Sequence, residues 1–251
     1  MKMFNLSDLP KKERPSAIID GLLFPNQISL LYAPSGTGKS ALVVDMLVRA
    51  SIGKVVAGQQ TKPVDVFWLA TESWDEHNVR LEAVVHQHNA MDEKINQHWV
   101  VNEQVVLVGD KGKKTVETLA DILNEKKSGN DQIVVIDTLN QAMPGADENG
   151  SSGMSEIIYN IKTLLSRVSN LHVLIVHHSG KKKENGPRGH SSLLCAVDTA
   201  MFIESRNQNL QLEVMKQRCC KTGLKIKFKL ISLKTEMTDG TTQDTVGVEY
   251  I

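Results

Sequence analysis

The sequence predicts an α/β fold: a mainly parallel sheet flanked by helices, followed by an antiparallel C-terminal extension. Three observations predict it. Short apolar runs alternate with segments of helical periodicity through about residue 178, the order that builds strand–helix–strand units. The runs are nearly continuous in apolar character rather than alternating, as befits strands covered on both faces. After residue 178 the helical segments stop, and three strand-like runs follow one another directly.

Residues 1–26, with Pro10, Pro15 and Pro25 as punctuation, read as a lead-in that packs either on the core or on a neighbouring subunit. ISLLY at 28–32 reads as a buried strand. A Gly-rich turn follows, then a helix over 40–52 with Leu42, Val43, Met46 and Leu47 on its apolar side, closed by Gly53. VDVFWLA at 64–70 is the second strand, and 74–90 the second helix, with Val79, Val84 and Val85 inward. One or two strands are expected within 99–108. The spacing of Val116, Leu119, Ile122 and Leu123 predicts a helix over 115–127. IVVI at 133–136 is a strand, 155–168 a helix, and VLIV at 173–176 a strand. The late strands are expected at 200–203, 210–216 and 224–233, and Asp239-Gly240 signals a turn in a final hairpin or loose tail. The expected organisation is a lead-in over 1–26, an α/β core over 27–233 and a C-terminal hairpin or tail over 234–251.

Composition excludes several classes. Lys+Arg and Asp+Glu both number 29, so the chain is no strongly cationic, histone-like binder. Aromatic residues are 4% of the chain, too few for a surface made mainly of base-stacking rings. The three cysteines, Cys195, Cys219 and Cys220, are odd in number and lack both a disulfide framework and zinc-knuckle spacing. The first twenty residues contain no apolar signal core, and no run of about 18 apolar residues occurs. The expected setting is a reducing cytoplasm, with no membrane span.

Residues 33–40 read Ala-Pro-Ser-Gly-Thr-Gly-Lys-Ser and fit the P-loop pattern in its Ala-first form. The motif follows a strand and opens a helix, as its chemistry requires. Gly36 and Gly38 permit positive φ and let backbone N–H groups approach phosphate oxygens. The helix start adds unpaired donors and the positive end of its dipole. Lys39 supplies charge to the β- and γ-phosphates, and the Ser40 hydroxyl is a Mg²⁺ ligand. Pro34, Ser35, Gly36, Thr37, Gly38, Lys39, Ser40 and Ala41 are therefore the candidate nucleotide-binding residues. The bland alternative is a Gly-rich turn with a surface lysine. No Asn-Lys-x-Asp guanine-reading motif occurs, which favours ATP.

Asp137 ends the IVVI strand at the carboxyl edge of the sheet, where ligands bind in open α/β folds. It is either the second metal-side group, with Ser40, or a turn or helix-capping Asp. Glu72, in Ala-Thr-Glu-Ser after the second strand, is either the group that orients the attacking water or a solvated loop carboxylate. His177 and His178 close the VLIV strand. One of them senses the γ-phosphate, or both are partly buried strand-end histidines.

These residues in this order resemble RecA-type ATPases, more closely the DnaB-type hexameric replicative helicases, and among these the small plasmid-encoded RepA type. APSGTGKS, LATES, VVIDTLN and VLIVHHSGK carry the resemblance. PRGHSSLLCAVDTAMFI and VMKQRCCKTG narrow it, the latter being similar to the family's Lys-Gln-Arg-Asn-Gly-Pro-Thr-Gly motif. It spans roughly residues 25 to 235. Ala33 departs from the frequent leading Gly, and Cys219-Cys220 stands in place of Asn-Gly.

The resemblance implies a RecA-like P-loop NTPase core with Glu72 as catalytic glutamate and His178 as γ-phosphate sensor. Arg80 is similar to a family Arg near the site. Arg218 matches the arginine finger donated to the neighbour's ATP, with Lys216, on the same side of the strand, as its partner. Read locally, Lys216 and Arg218 are equally an exposed strand of alternating charge. Two loops, 142–153 and 179–192, follow sheet strands. In RecA-like rings such loops line the channel, so Lys181, Lys182, Lys183 and Arg188 are the candidate DNA contacts, neutralising phosphates without reading sequence. The alternative is a solvated surface loop.

The function expected is an ATP- and Mg²⁺-dependent DNA helicase or translocase. It works as a homo-hexamer in DNA replication on single-stranded DNA, with a primase or replication initiator as a further partner. A RecA-like recombination mediator or regulatory ATPase that binds DNA without unwinding is the alternative. A small-molecule kinase would need an Arg-rich acceptor lid, and the sequence has none.

Overall fold

The computed structural model describes residues 5, 16–72, 74–88, 98–101, 103–180, 186–206, 209–237 and 239–251. Its strands, among these residues, are β1 (Ile28–Ala33), β2 (Val64–Ala70), β3 (His98–Val101), β4 (Asp131–Asp137), β5 (Leu171–His178), β6 (Thr199–Arg206), β7 (Asn209–Gln217), β8 (Lys225–Glu236) and β9 (Thr242–Tyr250). The helices are α1 (Lys39–Ser51), α2 (Trp74–Gln87), α3 (Gly109–Glu125), α4 (Ser151–Arg167) and the short α5 (Ser192–Ala196).

All nine strands join one sheet in the order β3-β2-β4-β5-β1-β6-β7-β8-β9. From β3 through β6 neighbours run parallel, and β6 to β9 continue antiparallel. Adjacent residues on each parallel strand serve opposite faces. Leu31, Trp68, Val135 and Leu174 pack with Leu42, Val43, Met46 and Leu47 of α1 on one side. Leu30, Phe67, Val134 and Ile175 pack with Val116, Leu119 and Leu123 of α3 and Met154, Ile157 and Ile161 of α4 on the other. Two covered faces explain the nearly continuous apolar runs.

Several elements differ from the local reading. The strand expected within 99–108 is β3 alone, and Val105 and Leu107 instead enter the core from irregular chain. Helix α3 begins at Gly109, six residues before the apolar spacing becomes visible, because Lys111, Lys113 and Lys114 form its solvated face. Gly112 permits this start: a Cβ there would lie 2.5 Å from the Leu107 carbonyl carbon. The second helix ends by Gln87, and the last two residues of its expected span lie outside the described residues. Of the lead-in, Ile18, Ile19, Leu22 and Leu23 are fully buried and belong to the same core as α1.

Only the first part of β8 pairs with β7, from Lys225 to Phe228. The rest continues past it, paired along its length with β9 from Phe228↔Tyr250 to Glu236↔Thr242, and the hairpin lies against α1 and α2. β8 thus runs through residue 233, and residues 242–250 form a strand of the same sheet. No helix among the described residues is long and apolar enough to cross a membrane.

Candidate active site

The register of the parallel strands sets the site. Ala33 of β1 stands opposite His178 of β5, and Ala70 of β2 opposite Asp137 of β4. Four strand ends therefore share the carboxyl edge of the sheet, and the chain leaving each carries a polar group into one cleft. The cleft is a cavity of about 290 Å³ lined by Gly36, Lys39, Ser40, Glu72, Asp137 and His178 among others.

The Gly-rich turn has the backbone its residues suggest. Gly36 and Gly38 have φ of 74° and 77°, a region that L side chains rarely adopt, and Gly38 caps α1. The Thr37 hydroxyl ties the turn by donating to the Pro34 carbonyl at 2.8 Å. Lys39 is buried, and its ammonium donates to the Ala33 and Pro34 carbonyls at 3.3 and 3.1 Å. Burial lowers its pKa, with Asp137 and Glu72 pulling the other way. An anion entering the cleft competes with neutral carbonyls for this ammonium, which makes the loop a phosphate cradle.

Asp137 lies at the floor. Burial raises its pKa, and a hydrogen bond from Ser40 works against that rise. A hydroxyl and a half-buried carboxylate form a hard-oxygen pair, which suits a Mg²⁺ that keeps several waters and takes its other ligands from phosphates. Ser40 and Asp137 would hold the ion, and its chemistry would be neutralisation of charge between the β- and γ-phosphates.

Glu72 and His178 face one another. Thr138, itself buried, donates its hydroxyl to Glu72 Oε1 at 2.7 Å. Lys39 Nζ lies 3.4 Å from His178 Nδ1, and His178 Nε2 lies 3.7 Å from Glu72 Oε1. An ammonium has only protons to offer, so Nδ1 accepts and the ring hydrogen sits on Nε2, toward Glu72. The Glu72 side chain is 43% exposed, which leaves its carboxylate accessible to water. His177, by contrast, is fully buried and bonds away from the cleft, its Nε2 donating to the Arg188 carbonyl at 2.9 Å. Of the two strand-end histidines, only His178 lines the cavity. Arg80 of α2 lines it as well.

Lys216 and Arg218 lie elsewhere. Gln217 pairs with Thr199, which pairs with Ser29, so the end of β7 is at the amino edge of the parallel strands, opposite the cradle. Arg218 donates to Asp198 Oδ1 at 3.0 Å and to the Cys195 carbonyl at 3.2 Å. Lys216 donates to the Leu194 and Cys195 carbonyls at 2.8 and 3.1 Å. Both cations thus converge on the C-terminal end of α5, and the Arg218 side chain stays 55% exposed. Arg188 is ion-paired with Glu148. Lys181, Lys182 and Lys183 lie outside the described residues.

Glu76, His77 and Thr138 line the cavity although the sequence reading does not single them out, and so do two residues of the late strands. Leu230 of β8 and Val246 of β9 line the cleft, and a Cβ added to Gly38 would lie 2.6 Å from Leu230 Cδ2. Their signal in the sequence is only that of apolar residues in a late strand. It is the overhang of the β8–β9 hairpin that brings them to the P-loop.

This cleft, a Gly-rich cradle with acidic and imidazole groups on adjoining strand ends, defines a P-loop nucleotide-hydrolase site. A family described as AAA domain matches residues 4–184, and the chain belongs to it. Its core is a RecA-like P-loop ATPase domain. Solved structures share the fold. One, described as an ATPase domain, aligns with a TM-score of 0.60 at 13% identity, covering 83% of each chain. The RadB recombinase aligns at 0.56 and 14%, covering 82% of this chain and 87% of that one. A DnaB-like replicative helicase, described with its interactions with primase, aligns at 0.60 and 14%, covering 82% of this chain and 57% of that chain. No curated protein matches the sequence.

Proposed function

We propose that the chain is an ATP-driven DNA helicase or translocase of the replicative kind, closest to the plasmid RepA type, working as a homo-hexameric ring in the cytoplasm. The observation that carries this reading is the separation of two halves of a hydrolytic site: cradle, Glu72 and His178 at one edge of the sheet, Lys216 and Arg218 at the other. A cation there is of no use to its own cradle. In a head-to-tail contact the finger edge of one protomer meets the cradle edge of the next, and such heterologous contacts form a ring when the rotation between protomers closes and a filament when it does not.

In this reading the cradle N–H groups and Lys39 bind the phosphates, and Leu230 and Val246 supply an apolar wall for the base. Ser40 and Asp137 hold Mg²⁺. Glu72, fixed by Thr138, orients the attacking water, and His178 contacts the γ-phosphate. Arg218 from the neighbour neutralises charge that develops during transfer. The core over 27–233 supplies the polar groups for this chemistry, with 1–26 as lead-in and 234–251 closing the hairpin and bringing Val246 to the cleft. Single-stranded DNA runs past the loops after β4 and β5, where Lys181, Lys182, Lys183 and Arg188 belong, and a primase or replication initiator is a further partner.

Arg218→Ala tests it. Hydrolysis should fall by roughly 10³-fold or more while nucleotide binding persists, and mixing with Lys39→Ala protein should restore part of the activity through shared sites. Equal loss of binding and hydrolysis, or no recovery on mixing, refutes the finger. The fold likeness to the RadB recombinase supports a second reading, a recombination mediator that binds DNA without unwinding. DNA-stimulated hydrolysis without strand displacement on a forked duplex selects it.

A further inference from the structure

Glu148 lies in the loop before α4 and is 8% exposed. Its carboxylate forms an ion pair with Arg188 Nε, and neither of its oxygens has a hydrogen-bond partner among the described residues. The surrounding backbone holds the pair in place. The Arg188 N–H donates to the His178 carbonyl, and His177 Nε2 donates to the Arg188 carbonyl, both at 2.9 Å. The His190 N–H donates to the Glu148 carbonyl at 3.0 Å, and a Cβ on Gly189 would come within 2.8 Å of that oxygen. The two loops that follow β4 and β5 are thus stitched together at this ion pair. Its halves differ in exposure: the Arg188 side chain is 56% exposed, the Glu148 side chain 9%.

We propose that Glu148 withholds Arg188 from the phosphate backbone of single-stranded nucleic acid. The inference rests on the nucleic-acid reading above. An arginine that turned to a phosphate would leave the Glu148 carboxylate buried and bare, which costs more than one solvated phosphate contact returns. Arg188 therefore stays with the fold. Glu148 lowers the affinity of the loop for nucleic acid, a property suited to a strand that has to slide.

The test is binding of a labelled oligo-dT to the full chain across a series of salt concentrations, with the wild type, Glu148→Gln and the double variant Glu148→Gln/Arg188→Gln. The double variant removes both charges together and leaves no bare carboxylate. Glu148→Gln should steepen the slope of log K against log salt by about 0.7 and tighten binding about five-fold near 0.1 M salt, the effect of one added phosphate contact on a single strand. The double variant should return to the wild-type slope. A Glu148→Gln slope equal to wild type, or a double variant that keeps the steeper slope, overturns the mask while leaving the nucleic-acid reading in place. Failure of all three proteins to bind oligo-dT overturns both.

Discussion

Acidification should unlock the joint between β5 and the loop after it, and His177 sets the size of the effect. The ring is fully buried. Its Nε2–H donates to the Arg188 carbonyl, and its Nδ1 has no partner among the described residues. Burial, with His178, Arg188 and Lys39 adding to it, lowers its pKa from 6.5 to about 4, although the bond to Arg188 acts the other way. The folded state thus holds the neutral ring, and the unfolded state takes a proton first. The stabilisation is complete above about pH 6.5 and is lost as pH falls toward about 4. The whole window is worth about 3 kcal/mol, of which about 2 kcal/mol falls between pH 7 and pH 5. His177→Gln retains a donor for the Arg188 carbonyl and cannot titrate. Urea unfolding at pH 7 and pH 5 should find the variant less stable at pH 7 by about 1 kcal/mol. It should then lose about 2 kcal/mol less than wild type on acidification. His77, His98 and His172, whose pKa values burial also lowers, are present in both proteins and cancel in the difference. An equal loss in both proteins would refute the reasoning.

Three further outcomes are expected. Glu72→Gln should cut turnover by at least roughly 10²-fold with nucleotide affinity retained; steady-state hydrolysis beside equilibrium binding decides it, and persistent turnover removes Glu72 from the chemistry. Thr138→Val deletes the 2.7 Å bond to a carboxylate that is partly exposed, so single-turnover hydrolysis should slow by roughly five-fold, or about 1 kcal/mol, with little change in thermal stability. Gly38→Ala places a side chain at φ 77° and against Leu230, which should lower stability by about 1–2 kcal/mol and weaken tripolyphosphate binding; adding Leu230→Ala should recover the contact part and leave the backbone part, as thermal unfolding of both variants would reveal.

The cradle was legible because its chemistry is local. Positive-φ glycines, a lysine and a hydroxyl act from eight consecutive residues between a strand and a helix, and no distant partner is needed to recognise them. The gathering of Glu72, Asp137 and His178 in one cleft was legible for a related reason: each closes a strand or lies two residues past its end, and parallel strands share one carboxyl edge. Helix α3 was legible only from its apolar stripe, which begins after its solvated first turns. The five residues of α5 are too few to display a helical period.

Composition, strand periodicity and the P-loop spacing therefore determined the fold class, the edge of the sheet that bears the candidate site and the residues of the candidate phosphate cradle, because each depends on neighbours a few positions apart. Tertiary structure alone decided that Arg188 rests on Glu148, that Leu230 and Val246 wall the cleft, and that Lys216 and Arg218 occupy the edge away from the cradle. Those facts depend on strand order, register and the reach of a hairpin over α1 and α2. Pairings between residues far apart in the chain arise from the summed packing of both sheet faces, which no short stretch of sequence records.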